Sequence, residues 1–254
     1  MKRNGKTNRS AALACVLCAL MTTPGTALAD GSDETKVIVT GYLFGSAIKG
    51  QASSTPALPP ANIDLSFSDV LKDLDFGFMT AIEVRRGRWG FVGDLMYSNV
   101  SPSATVPTPI PLTGSLDQKS LTLQGNALYR VHEADGLNID VGAGLRYWNI
   151  KNVGTLDPGP LGFSYRETWI DPVLVARMTA QIDGPWSVTF AGDVGGSGSG
   201  SDLTWQLLGT GNYQKNDRFT FPAGYRVLSV DYDQDGFNYD VTMRGPVIGA
   251  SISF

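Results

Sequence analysis

The chain has 254 residues, 17% of them charged and 42% hydrophobic, with a formal net charge of −4 and 30 glycines. The acidic balance and the lack of a basic cluster argue against nucleic acid as a partner. After the first 29 residues no apolar run is long enough to cross a bilayer as a helix, so membrane insertion would require strands closed into a barrel.

Lys2, Arg3, Lys6 and Arg9 form a basic start, Ala11 to Met21 an apolar run, and Ala27-Leu28-Ala29 a small-residue cleavage site. This predicts a secretory signal peptide over 1–29 and a single domain over 30–254. Its removal takes four of the 20 cations and none of the 24 acids, moving the net charge from −4 to −8. Cys15 and Cys18, the two cysteines, lie in that leader, which excludes disulfides and thiol chemistry from the rest.

Ten segments then have strand character: 36–48, 75–85, 89–99, 118–132, 137–150, 165–181, 186–194, 202–214, 219–231 and 237–254. Leu137 to Ile150 is the clearest. Leu137, Ile139, Val141, Ala143, Leu145 and Tyr147 alternate with Asn138, Asp140, Gly142, Gly144 and Arg146. Period two makes a strand with two unlike faces. The connections sort by length. Arg86-Gly87-Arg88, Glu133 to Gly136, Asp183-Gly184-Pro185 and Lys215-Asn216-Asp217 are tight. Those at 49–74, 99–117, 151–164 and 195–201 are longer, and only Tyr232 to Gly236 is short among them. Short turns at one end and long loops at the other predict a closed antiparallel transmembrane β-barrel. Ten strands are expected, or eight if the weaker segments 36–48 and 202–214 are not counted.

Aromatic residues follow the same frame. Trp89, Phe91, Trp186, Phe219 and Phe221 come just after tight turns, and Tyr97, Tyr147, Trp169, Trp205 and Tyr239 lie near the opposite strand ends. Both sets are expected as interfacial girdles around an apolar band. The opposite strand face carries Glu83, Arg85, Asp94, Arg130, Asp140, Arg146, Asp171, Arg177, Asp193 and Arg226, with no lysine. Arginine forms planar multi-donor pairs suited to a confined space, so these ten are expected as a lumenal charge network. Register about the 133–136 turn predicts an Arg130–Asp140 pair, and the next hairpin an Arg146–Asp171 pair. The last strand alternates Ile248, Ala250, Ile252 and Phe254 with Gly249, Ser251 and Ser253.

An amphipathic final strand ending in Phe254 resembles the assembly signal of bacterial outer-membrane barrels. Further patterns lie at 75–97, Trp169-Ile170-Asp171-Pro172, Gly192 to Gly196, Ser201 to Gln206 and Gly224-Tyr225-Arg226. With them the chain resembles the small, opacity-protein-like outer-membrane barrels of Gram-negative bacteria, in an uncharacterised proteobacterial branch. The resemblance implies the cell outer membrane as location, its lipid and the barrel-assembly machinery as partners, and no catalytic residues.

No enzyme activity and no cofactor are expected. The one histidine, His132, abuts a tight turn, away from any external substrate. Asp231, Asp233 and Asp235 followed by Gly236 match the start of a calcium loop, but Thr242 stands where its last carboxylate should be. In FSDVLKDLDF the apolar residues Phe67, Val70, Leu71 and Leu74 recur at helical spacing, predicting a short helix resting on the barrel rim or folded into its mouth. The functional expectation is a structural or surface-interaction role with a lumen filled by ion pairs. A narrow pore for small solutes is the alternative, and a soluble exported lipocalin-like binder a third reading. No surface ligand can be named.

Overall fold

The computed structural model describes residues 34–106, 112–157, 161–198 and 200–254; the expected leader over 1–29 lies outside them. In chain order the elements are β1 (Thr35–Phe44), β2 (Ala47–Ala52), β3 (Ala61–Leu65), α1 (Phe67–Lys72), β4 (Leu74–Arg86) and β5 (Trp89–Val100). They continue with β6 (Ser103–Val106), β7 (Leu112–Ala134), β8 (Leu137–Asp157), β9 (Leu161–Asp183) and β10 (Trp186–Gly195). The last are β11 (Leu203–Gln214), β12 (Phe219–Gln234) and β13 (Phe237–Ser253). Ten of these close a ring in the order β1-β4-β5-β7-β8-β9-β10-β11-β12-β13, and β13 returns to β1. The closing pair runs antiparallel from Ile38 opposite Ser253 to Phe44 opposite Val247. The fold is a closed ten-stranded antiparallel barrel; β2 and β3 branch from the upper part of β13, and β6 pairs with β7.

The turn residues explain the hairpins. Asp135 and Gly136 have φ of 51° and 75°, and Asp235 and Gly236 have φ of 50° and 81°. Positive φ at both central positions matches the twist of the flanking strands, and Asp-Gly tolerates it. At the β11–β12 turn the Asn216 side-chain oxygen accepts from the amides of Arg218 and Phe219 at 3.0 and 2.8 Å. On β8 the inner-face residue Gly142 lies so close to β7 that a Cβ would meet the Ala127 carbonyl oxygen at 2.0 Å. Glycine there lets the wall coil.

Alternation assigns the faces. Leu145 is 57% exposed and Leu174 66%. Phe91, Ile170, Phe190, Leu207 and Ile248 are exposed with them, whereas Asp140, Arg146 and Asp171 are buried. An exterior this apolar around a charged interior is the inverse of a water-soluble sheet protein and fits a strand wall set in lipid. Trp89, Phe91, Trp186, Phe219 and Phe221 are exposed beside the short turns. Trp169 and Tyr239, expected in the opposite girdle, instead point inward and are each 5% exposed. They share strand phase with Asp171 and Val241, so alternation puts them in the lumen.

Much of what the sequence presents as long loops is strand. β7, β8 and β9 have 23, 21 and 23 residues. At about 3.3 Å per residue and a tilt near 40°, such strands rise roughly 50 Å, about twice an apolar band of about 25 Å. Pairing between neighbours carries them on beyond the membrane. The expected helix forms as α1, with Ser66 as N-cap and a capping box to Asp69. Those bonds from Ser66 hold the Asp69 carboxyl below its ordinary range. No α1 residue is buried, so it does not plug the mouth. The Phe67 ring lies over Gly45 on the outside, 2.9 Å from where a Cβ would stand.

Outer-membrane barrels turn their short turns to the periplasm. Cysteine placed at Ser103 should therefore be labelled by an impermeant thiol reagent on intact cells, and cysteine at Asp135 should not; the reverse pattern would invert the topology. Leu145→Arg, on the exposed face, should weaken folding into bilayers by about 2–4 kcal/mol, read from urea unfolding. Asn138→Ala on the inner face should change it little.

Candidate functional site

The interior is built in layers, each from side chains that alternation turns inward. The lowest, beside the short turns, joins β4, β7, β8 and β9. Arg177 grips Glu83 with Nη1 and Nη2 at 2.7 and 2.8 Å. β4 and β9 are four places apart in the ring, so this contact crosses the lumen. Asp140 accepts from Arg130 Nε at 3.0 Å, from Arg85 Nη2 at 3.0 Å, and from Arg177 Nη2 at 2.8 Å. One carboxylate thus serves three arginines. Arg85 also bonds Glu83 at 3.2 Å, and Arg130 reaches Glu133 at the rim at 3.1 Å. Arg85 Nη1 is buried without a partner among the described residues.

The middle layer is one connected chain across seven strands. Arg146 Nη2 donates to Asp193 at 2.6 Å, its Nε and Nη2 to the Gln124 side-chain oxygen at 3.0 and 2.7 Å, and its Nη1 to Thr204 at 2.8 Å. Gln124 and Gln206 donate to Asp193 at 3.1 and 3.2 Å. Arg226 continues the chain from Gln206 at 2.7 Å to the Tyr42 hydroxyl at 2.9 Å and Asp94 at 3.3 Å. Tyr42 donates to Asp94 at 2.8 Å. Two arginines and two aspartates balance with no lone charge, which is what burial demands.

Arg130–Asp140 is therefore an ion pair, but Arg146–Asp171 is not. The two stand opposite in register, yet Arg146 turns to β10. Asp171 is held by neutral donors: Trp148 Nε1 at 3.0 Å, Trp169 Nε1 at 3.2 Å, and the Ser201 hydroxyl and amide at 2.8 and 2.7 Å. Register fixes which face two residues share; the reach across a narrow lumen then selects among partners. Ser201, Trp148 and Tyr42 were missed as partners, although strand phase alone places Trp148 beside Arg146. Glu167 was also missed: it shares phase with Asp171 and accepts from Tyr232 at 3.0 Å and from Tyr165.

Above the charges lies an aromatic layer. Trp148 stacks on Trp169 at 5.6 Å, and Trp169 on Tyr232 at 4.0 Å. Phe237, Tyr239, Ile150, Leu228, Val230 and Val241 complete it, each 5% exposed or less. The chain after β2 then crosses the external mouth: the Ser53 amide donates to the Asn238 carbonyl at 2.8 Å on β13, and Asn152 on β8 donates to the Ser54 carbonyl at 3.0 Å. β8 and β13 lie on opposite sides of the ring. Toward the short-turn end a cavity of about 440 Å³ with a mixed polar and apolar wall remains, running from Arg226 and Asp94 down to Asn138, Gln214 and Thr220.

The other candidates do not assemble into sites. Asp231 and Asp233 are exposed residues two apart on the same face of β12 and Asp235 sits in the turn; the extended rise of about 3.3 Å per residue sets them out in a row instead of a loop wrapped round a cation. Among the described residues no group of three His, Cys, Asp or Glu side chains is placed to hold a metal ion. His132 is exposed, beside a register irregularity of β7. Phe254 is 75% exposed and exchanges backbone bonds with Val37 at 2.9 and 3.2 Å.

Removing Arg146 alone should destabilise the barrel by about 3–5 kcal/mol, because it strands Asp193 in a buried place. Arg146→Met with Asp193→Leu should lose less than the sum of the single changes, whereas Arg146→Met with Asp171→Leu should couple more weakly; urea unfolding in detergent micelles measures both cycles.

No family model matches the sequence, and no curated protein matches it. Among solved structures, the translocator domain of autotransporter NalP from Neisseria meningitidis aligns over 89% of this chain and 90% of its own, with TM-score 0.51 and 10% identity. The outer membrane protease OmpT from Escherichia coli aligns over 89% of this chain and 99% of its own, with TM-score 0.47 and 8% identity. Neisserial surface protein A aligns over 87% and 97%, with TM-score 0.37 and 15% identity. The likeness to the NalP translocator is one of fold. The chain has the fold of an outer-membrane β-barrel of Gram-negative bacteria.

Proposed function

We propose that the protein is a non-conducting, non-enzymatic barrel with a structural or surface-interaction role, of the opacity-like kind that its sequence resembles. The obstruction of the lumen carries this reading. Two arginine–carboxylate layers cross it, an aromatic layer overlies them, and the Ser54–Asn152 contact spans the mouth. Strand extensions of β7, β8 and β9 beyond the membrane offer a surface to the surroundings. The exposed Phe254 at the end of the last strand supports recognition by the assembly machinery, and the apolar belt makes lipid the constant partner. The cavity at the short-turn end favours the second reading, a narrow pore, but it stops below the aromatic layer.

Purified protein in planar bilayers should give no steady channel current. A stable ohmic conductance from the intact chain would overturn the closed reading and establish the pore. To separate structural from surface roles, a deletion strain can be complemented with a chain shortened above residues 118, 151 and 165. Restored detergent resistance assigns the role to the barrel itself; rescue by the full chain alone assigns it to the extensions.

A further inference from the structure

The barrel wall forks. β4 pairs with β1 only from Thr80 to Arg86, and its first six residues, 74–79, have no partner strand on that side among the described residues. Beyond Gly41, opposite Thr80, the first strand stays with β13 alone. The Gly45 amide donates to the Pro246 carbonyl at 2.9 Å, and the chain continues along β13 as β2. One prong of the fork is β2 with β3, the other β4 with β5, and α1 rests on the first through Phe67.

Where β4 parts from β1 lies an open groove of about 410 Å³, lined by Gly41, Leu43, Phe78, Met79 and Ile248, with Tyr42 on its inner side. Leu43, Phe78 and Ile248 are 66%, 50% and 62% exposed and belong to the outward strand phase, so the groove is continuous with the lipid-facing belt. Phe78 stands eight residues above Arg86, roughly 20 Å from the short-turn end and within an apolar band of about 25 Å. Among the described residues nothing fills the space: a Cβ on the outward Gly41 would meet no atom within 4 Å. Among the described residues no charged side chain lines it, which leaves an ionic ligand without a partner. An empty apolar slot in hydrocarbon forfeits dispersion contacts on every wall.

We propose that this fork seats one acyl chain of an outer-leaflet lipid between β1 and β4, beside the Tyr42 wall. The seat is independent of whether the lumen conducts. Tyr42 lines both the groove and the lumenal cavity, so it is the partition between the bound chain and the charged interior.

The test uses the full protein in dioleoylphosphatidylcholine vesicles containing phosphatidylcholine with a diazirine on one acyl chain. After photolysis, labelled residues are mapped by mass spectrometry. Labelling should be enriched several-fold at 41–43 and 77–79 over the equally lipid-facing Leu145 and Ile170. Filling the groove with Gly41→Leu should abolish that enrichment, while Gly93→Leu, another outward glycine with open space around it, should leave it intact. Folding of each variant is checked by heat-modifiable gel mobility, with Gly41→Val replacing Gly41→Leu if that fails to fold. Equal labelling of fork and belt in the unsubstituted protein, or enrichment that survives filling, would overturn the proposal.

Discussion

A backbone amide or carbonyl facing hydrocarbon has no water to bond, and everything else in this molecule follows from meeting that constraint. A ring of ten paired strands satisfies it all round, except at the fork. Closing the ring makes an inside, and the inside is narrow. Side chains from opposite walls can therefore touch, as Arg177 on β9 touches Glu83 on β4 at 2.7 Å. The apolar face is left for lipid, and what a water-soluble protein would display outside becomes the core.

That inversion dictates how the interior is stabilised. Ten strands cannot hide charge in water, so each charge is answered by another charge or by several neutral donors. Arg226 lies 5.9 Å over the Tyr42 ring and 5.7 Å over Phe44, so the arginines also contact the aromatic walls. Asp171 represents the second solution, a carboxylate whose lone pairs are taken by two indoles and a serine. Lysine, a strongly hydrated point charge, suits neither arrangement.

The ten strands and their turns were legible because period two and Asp-Gly chemistry are local signals. The inward face was legible for the same reason, down to Asp140 and Arg130. Heights and rotamers across the lumen were not: Arg146 faces Asp171 in register, and only the ring's curvature brings Asp193 from β10 within 2.6 Å. The upper parts of β7 to β9 read as loops because Lys151 to Asp157 has no apolar face to bury; pairing with neighbours, not propensity, makes them strands. Trp169 and Tyr239 show the cost of weighing residue type above phase. The fork was invisible, since the point where β4 loses its neighbour depends on residues 30 to 40 positions away.

The seam between first and last strands has a consequence in time. Thr40 bonds Ser251 across a separation of 211 residues, whereas each hairpin is joined by a few. Local hairpins can form early, but the seam has the highest contact order in the molecule and its loop-closure entropy is met last. Until then β1 and β13 are both bare edges, each a template for pairing with another chain. The vulnerable species on the way to this barrel is accordingly an almost complete, unclosed sheet, and its lifetime sets how much protein is lost to aggregation.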